Sequence, residues 1–149
     1  MYFQSIKSPL GPLTLFADEA AVTVLEFGRG PDGKSSPLLK EAAAQLAAYF
    51  KGTLKRFDLP LKAGGTDFQK RVWNAMREIP YGSTRSYGDL AWDLDSGPRA
   101  VGGACGKNPI PIIVPCHRVL AANEKLGGFS GGSGIETKLS LLRLEGVDI

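Results

Sequence analysis

The segment Ile-Val-Pro-Cys-His-Arg-Val, at residues 113–119, combines the residue types that nucleophilic catalysis requires. Cys116 directly precedes His117, which is the only histidine in the chain. A thiolate is a strong nucleophile, and an imidazole can accept the thiol's proton near neutral pH. Because the chain has no second histidine, any histidine chemistry must take place here. We therefore expect a reactive cysteine rather than the small buried thiol that is the usual state of a lone cysteine.

The sequence around Cys116 supports this interpretation. Three prolines precede it, at positions 109, 111 and 115. Prolines restrict the backbone, so they predict a stiff and mostly extended arm that holds the thiol in one place. His117 and Arg118 follow, and no acidic residue occurs between Asp95 and Glu124. These positive surroundings predict a lowered thiol pKa.

Direct contact between Cys116 and His117 is not expected from their adjacency. Neighbouring side chains point to opposite faces of a strand and diverge by about 100° on a helix. A bridging water could carry the proton instead. The imidazole would also need a carboxylate to orient it and to stabilise its charge. Three glutamates remain open as candidates for this role: Glu124, Glu136 and Glu145.

Other kinds of site fit this segment less well. One histidine and two cysteines, Cys105 and Cys116, match no usual zinc spacing, and the chain has no C-x-x-C motif. The glycine-rich segment at 127–134 matches neither the dinucleotide-binding nor the P-loop pattern, so we interpret it as a flexible or close-approach loop. The sequence thus predicts no metal site and no cofactor.

The composition indicates the class of protein in which these residues are positioned. The chain has 149 residues, of which 43% are hydrophobic and 22% are charged, as in globular domains. Its net charge of +3 is compatible with nucleic acid but does not prove it. No apolar run approaches the ~20 residues of a membrane span, and the N-terminus does not resemble a secretory signal. We therefore expect an intracellular protein with reduced thiols.

The first half is predicted to mix strands with one helix. Alternating apolar residues at 3–10 and 12–28, with a turn at Asp18-Glu19, predict two or three antiparallel strands. A helix is expected from Pro37 to Gly52, and a domain boundary near Gly64-Gly65.

The second half has the outline of a helix-turn-helix. Thr66 and Gln69 have capping-box spacing, which predicts the first helix of this half. A short helix should begin at Ser86, and another at Pro98 that ends at Asn108-Pro109. This last helix contains three glycines, Gly102, Gly103 and Gly106, each costing about 1 kcal/mol relative to alanine. Either tight packing against a neighbouring element or close approach of a ligand, such as DNA, would explain them.

Several of these motifs together resemble one family. The segments NPIPIIVPCHRVL, RAVGGACGKNP, GGFSGG and LLRLEG are similar to those of the O6-alkylguanine-DNA alkyltransferases, the methylated-DNA–protein-cysteine methyltransferase family. The resemblance covers residues 66–149 closely and the first half more loosely. It implies an α+β fold, with an N-terminal β/α structural domain at 1–63. A winged helix-turn-helix domain at 64–149 would bind DNA and carry the active site.

The resemblance implies DNA repair by self-alkylation. Such proteins flip an alkylated guanine out of DNA and move the alkyl group from O6 to a cysteine, irreversibly and once per molecule. Cys116 would be the acceptor and His117 a base acting through water. Glu145 would orient the histidine, Tyr87 would donate a proton toward the guanine ring, and Asn108 would brace the turn before the active-site arm.

Further positions carry over to DNA and pocket contacts. Arg99 would fill the gap left by the flipped base. The DNA-binding helix would contact the minor groove with Arg99, Ala100, Gly102 and Gly103. The pocket would be lined by Val119, Phe129, Ser130 and Lys138. The sequence departs from some relatives, because Phe129 replaces a tyrosine and no cysteine or histidine before Cys105 could form their N-terminal zinc site.

The expected partner is double-stranded DNA containing O6-alkylguanine, without a membrane. The protein would be a cytoplasmic monomer, associated with the nucleoid when on DNA, and its binding along DNA could be cooperative. Two other functions remain open. A lesion sensor would bind alkylated DNA without reacting, and a cysteine hydrolase is suggested only by the adjacent cysteine and histidine.

Overall fold

The computed structural model describes residues 1–31, 33–129 and 131–149. The chain divides into two compact units, Met1–Gly64 and Gly65–Ile149. Within the described ranges, no helix combines the length and the apolar character needed to cross a membrane. Strands dominate the first unit and helices the second, so the predicted α+β class is confirmed.

In the described ranges 1–31 and 33–64, the first unit forms a three-stranded antiparallel sheet with one helix against it. Its elements are β1 (Tyr2–Ile6), β2 (Leu13–Ala17), β3 (Val22–Phe27) and α1 (Pro37–Phe50). The strands lie in the order β1-β2-β3. Asp18 forms the predicted turn, because its side chain accepts hydrogen bonds from the amides of Ala20 and Ala21. Ser36 caps α1, whose buried residues face the sheet: Leu39, Ala42, Leu46 and Tyr49.

Among residues 65–129 and 131–149, the second unit has four α-helices and two very short strands. They are α2 (Asp67–Arg77), β4 (Arg85–Ser86), α3 (Tyr87–Asp93), α4 (Pro98–Gly106), β5 (Val119–Leu120) and α5 (Ile135–Leu144). Thr66 and Ser86 begin α2 and α3 with capping boxes, as the sequence predicts. The indole N–H of Trp73 donates to the carbonyl of Ala104 over 2.8 Å and so fastens α2 to α4.

A two-residue parallel pairing positions the start of α3. In it Arg85 lies opposite Val119 and Ser86 opposite Leu120. A 3₁₀ turn at Cys116–Arg118 immediately precedes β5. Because Tyr87 directly follows β4, this pairing brings the first residue of α3 to the same region as the cysteine turn.

The arm before Cys116 is folded, and the expectation of a mostly extended arm is wrong. The amide of Val114 donates to the carbonyl of Ile110, and Ile112 has a positive φ of 73°. Pro115, with φ −82° and ψ 67°, forms an inverse γ-turn that the amide of Cys116 closes by donating to Val114. Each proline fixes only its own φ, so the residues between them still decide the direction of the chain.

The glycines of α4 are not explained by tight packing. A Cβ added to Gly102, Gly103 or Gly106 would meet no described atom within 4 Å outside the helix's own backbone. None of the three has a positive φ. The packing explanation is therefore wrong for the described part of the chain, and close approach of a ligand remains.

These observations predict that Gly103→Ala stabilises the protein. Alanine adds helix propensity at a position with open space, so the free energy of unfolding should rise by about 1 kcal/mol. Urea denaturation measures the change. Gly146→Ala is the matched control, because its added Cβ also meets no described atom but its φ is +83°. That variant should lose stability, and a loss in Gly103→Ala would contradict the prediction.

Candidate active site

The 3₁₀ turn separates the environments of its cysteine and histidine. Cys116 is partly exposed, whereas His117 is completely buried. The His117 Nε2 lies 2.7 Å from Oε2 of Glu145, just beyond the end of α5. Of the other candidate carboxylates, Glu136 is exposed on α5, and the side chain of Glu124 lies outside the description. The histidine's carboxylate partner is therefore Glu145.

Glu145 also binds Arg118, a residue whose part in this site the sequence did not reveal. The guanidinium donates from Nε to Oε1 over 2.7 Å and from Nη2 to Oε2 over 2.9 Å. Its Nη1 donates to the carbonyl of Ile79 over 2.7 Å, and the group lies over the Tyr81 ring. Arg118 is thus turned toward a buried carboxylate. Its position directly after the histidine was the only sequence signal for this role.

The histidine is a neutral base with one nitrogen available. Burial lowers the pKa of His117, and Glu145, which acts in the opposite direction, does not outweigh it. With Nε2–H donating to Glu145, the proton-accepting atom is Nδ1. This is the one buried side-chain nitrogen or oxygen of the described residues that lacks a hydrogen-bond partner. The geometry therefore suits acceptance of a proton at Nδ1.

The expected lowering of the thiol pKa is wrong. Burial raises the pKa of Cys116, although a hydrogen bond from Asn108 and the charge of Lys138 act in the opposite direction. Arg118 does not help, because its charge is directed to Glu145. The resting thiol therefore keeps its proton at neutral pH, and reaction requires a base.

Asn108 holds the folded arm in place. Its Nδ2 donates to the carbonyl of Val114 over 2.9 Å, and its Oδ1 accepts from the amide of Ile110 over 3.0 Å. These contacts fix the turn that ends at the nucleophile.

Cys116 opens into a cavity of about 530 Å³. Its lining residues are Tyr87, Gly102, Cys105, Gly106, Asn108, Pro111, Cys116, Gly128, Phe129 and Gly131. Burial, followed by the two cysteines' negative charge when ionised, raises the pKa of Tyr87 to about 12. Its phenol therefore remains a proton donor. The cavity's volume of about 530 Å³ is within the range of small-molecule sites.

Lys138 connects two backbone segments, one directly after the cysteine turn and one in the cavity wall. It is fully buried, and its ammonium donates to the carbonyls of Val119 over 2.7 Å and Gly128 over 3.2 Å. Burial lowers its pKa. Val119 is itself buried, and neither it nor Lys138 is among the described residues that line the cavity. Ser130, a predicted pocket residue, lies outside the described residues.

The predicted DNA contacts lie on α4. Arg99 and Ala100 are exposed in its first turn and do not line the cavity. Gly103 is exposed farther along, and Gly102 lies at the cavity. The structure thus gathers the predicted catalytic residues around Cys116 and leaves the first turn of α4 apart from them.

The buried histidine predicts a pH-dependent stability. The unfolded chain takes up a proton at His117 below about pH 6.5, whereas the folded protein resists it because burial lowers this pKa. The free energy of unfolding should therefore be constant above this pH and fall as the pH is lowered through it. Urea denaturation at several pH values measures the slope, which His117→Gln should reduce. Equal slopes in both proteins would contradict this assignment.

Known proteins match nearly the whole chain. A family model described as 6-O-methylguanine DNA methyltransferase, DNA binding domain, matches residues 67–147. Another, described as 6-O-methylguanine DNA methyltransferase, ribonuclease-like domain, matches residues 1–63. A methylated-DNA–protein-cysteine methyltransferase of Methanosarcina acetivorans is 47% identical, over 98% of this chain and 99% of the relative.

Solved structures of methyltransferases are also similar to this chain. The crystal structure of Mycobacterium tuberculosis OGT in complex with DNA has a TM-score of 0.85 and 48% identity, covering 96% of this chain and 91% of that one. A Pyrococcus kodakaraensis O6-methylguanine-DNA methyltransferase has a TM-score of 0.60 and 28% identity, covering 99% and 100%. With both halves matched by its models, the chain belongs to the 6-O-methylguanine DNA methyltransferase family.

Proposed function

We propose that this chain is a DNA repair methyltransferase that moves an alkyl group from O6 of a flipped-out guanine to Cys116. One observation carries the proposal. The cavity is large enough for a small ligand and contains Cys116. Next to this cysteine, the buried side chains of His117 and Glu145 are hydrogen-bonded to each other. Tyr87, whose phenol keeps its proton, lies in the cavity wall. The relatives' name, methylated-DNA–protein-cysteine methyltransferase, describes the same chemistry.

The first step removes the thiol proton. A water molecule between the Cys116 sulfur and Nδ1 of His117 would pass the proton to the imidazole. Glu145 accepts the hydrogen bond from Nε2–H, so it fixes the tautomer and stabilises the imidazolium that forms. Because the thiol pKa is raised by burial, this relay supplies a thiolate that the pH of the solution alone would not.

The second step is an in-line displacement. The thiolate attacks the alkyl carbon, the carbon–O6 bond breaks, and the electron pair leaves with the guanine ring. Tyr87 donates its proton toward the ring and so neutralises the departing base. The thioether formed on Cys116 has no group to hydrolyse it in this mechanism. Each molecule therefore acts once, as a methylated-DNA–[protein]-cysteine S-methyltransferase.

DNA binding is assigned to α4 within residues 64–149. A minor groove only about 6 Å wide admits a helix surface of small residues, which Ala100, Gly102 and Gly103 provide. Arg99, exposed in the first turn, would occupy the place of the flipped base. We assign residues 1–63 a structural role, and propose that the protein is a cytoplasmic monomer that associates with the nucleoid and could bind DNA cooperatively.

The decisive test is the mass of the protein after mixing with a duplex that contains O6-methylguanine. We expect one methyl group on the Cys116 peptide, saturating at one per molecule. Cys116→Ala should abolish transfer but still bind the lesion. Transfer by that variant would refute the acceptor assignment. Lesion binding by the unaltered protein without any adduct would instead favour a non-reactive sensor, which the raised thiol pKa would then explain.

The relay predicts a rate defect in Glu145→Gln. A glutamine cannot stabilise the imidazolium, so the single-turnover rate should fall by about 10²-fold or more. Rapid-quench measurements of methyl transfer, at saturating protein, separate this effect from DNA binding. Glu136→Gln is the control, since Glu136 is exposed on α5, and it should react at the unaltered rate. Equal rates for the two variants would exclude Glu145 from the relay.

A further inference from the structure

The cavity contains a second thiol that the proposed reaction does not use. Cys105 lies in the last turn of α4 and lines the same cavity as Cys116. Only 8% of its surface is exposed. Its thiol lies 3.4 Å from the sulfur of Met76, to which it donates its hydrogen. A nucleophilic atom is therefore held in the wall of the site where an alkyl group would arrive.

Asn108 connects the two cysteines. Its backbone amide donates to the carbonyl of Cys105 over 3.2 Å, and its side-chain amide donates to the carbonyl of Val114, two residues before Cys116, over 2.9 Å. Negative charge on Cys116 raises the pKa of Cys105, and negative charge on either cysteine raises the pKa of Tyr87. Such charge effects weaken with distance, which agrees with the position of both cysteines in the lining of one cavity.

Cys105 should not compete for the first alkyl group. Burial raises its pKa to about 12, and no described contact joins it to the imidazole. A simple alkylguanine would therefore react at Cys116. Only an electrophile that is stronger and that is generated inside the cavity would engage Cys105.

We propose that Cys105 is a second acceptor for lesions whose O6-alkyl group carries a leaving group on its second carbon, such as O6-(2-haloethyl)guanine. The result is an ethylene bridge between the two cysteines, which captures a reactive adduct inside the protein. This inference rests on the proposed function, because Cys116 must receive the group first.

The bridging reaction needs no added reagent. After transfer, the Cys116 sulfur carries a 2-haloethyl group, and its lone pair displaces the halide to form a three-membered sulfonium ring. The Cys105 sulfur then attacks a ring carbon, that carbon's bond to the Cys116 sulfur breaks, and the electron pair returns to this sulfur. The Cys105 proton leaves to solvent. Overall, one haloethylguanine and two thiols give guanine, hydrogen halide and a bis-thioether.

The cavity favours this outcome over hydrolysis or attack on DNA. The sulfonium ring forms in the cavity whose wall already holds Cys105, so a second nucleophile is present where the electrophile arises. An ethylene bridge also spans more than the ~2.05 Å of a disulfide bond, so it places a weaker demand on the positions of the two cysteines.

The experiment compares two duplexes that differ only in the leaving group. The protein is incubated with a duplex containing freshly prepared O6-(2-chloroethyl)guanine or, as the control, O6-ethylguanine, and is then digested and analysed by mass spectrometry. We expect the chloroethyl duplex to give mainly a cross-linked product, in which the peptide containing Cys105 and the peptide containing Cys116 are joined by one ethylene group. The ethyl duplex should give a single ethyl group on Cys116.

The outcomes separate the inference from the proposed function. A chloroethyl or hydroxyethyl group on Cys116 with Cys105 unmodified would overturn the inference alone. No ethyl group on Cys116 from the control duplex would overturn the proposed function itself. Cys105→Ser should lose the bridged product, and its transfer from the ethyl duplex is measured beside it, so that lost bridging is distinguished from lost transfer.

Discussion

The active-site unit depends on one buried carboxylate that serves two partners. Glu145 contacts Nε2 of His117 and receives two hydrogen bonds from Arg118. Removing one member of a buried charged group typically costs about 3–5 kcal/mol, because the remaining charge loses its compensation. Arg118 continues the network to the carbonyl of Ile79, next to the end of α2. The same contact that orients the base therefore joins the end of α5 to the cysteine turn.

This arrangement explains how a partly exposed thiol with a raised pKa can be the nucleophile. Burial protects Cys116 from unwanted reaction by raising its pKa, but it also leaves the thiol protonated at rest. The fully buried His117 is neutral for the same reason and can therefore accept a proton. Low polarity around the two groups thus disfavours charge on either one alone. In the proposed mechanism, a thiolate forms only when the imidazole, backed by Glu145, takes up the proton.

In helix α4, the stability of the helix is reduced while its backbone is left accessible to a ligand. Its three glycines weaken the helix, although nothing among the described residues would obstruct a side chain there. The glycines make the helix less stable, but they leave its backbone almost uncovered by side chains. In the proposed function this backbone enters a narrow groove, while Gly102, Cys105 and Gly106 of the same helix line the cavity. One short helix thereby serves both the DNA and the flipped base.

The sequence by itself determined the local features, and the tertiary structure decided the contacts between distant ones. Capping boxes at Thr66 and Ser86, the turn at Asp18 and the helix start at Pro98 depend on residues a few positions apart, so their pattern is legible in the chain. The choice of Glu145 over two other glutamates followed from resemblance, not from spacing, because a partner 28 residues away is set only by how α5 packs. The lowered thiol pKa, expected in part from the neighbouring Arg118, and the extended proline arm were mispredicted for related reasons. Charge near a cysteine in sequence says nothing about where a long side chain points, and proline restricts a single dihedral rather than a path. Burial, which reversed the expected shift of the thiol pKa, exists only once the chain has folded.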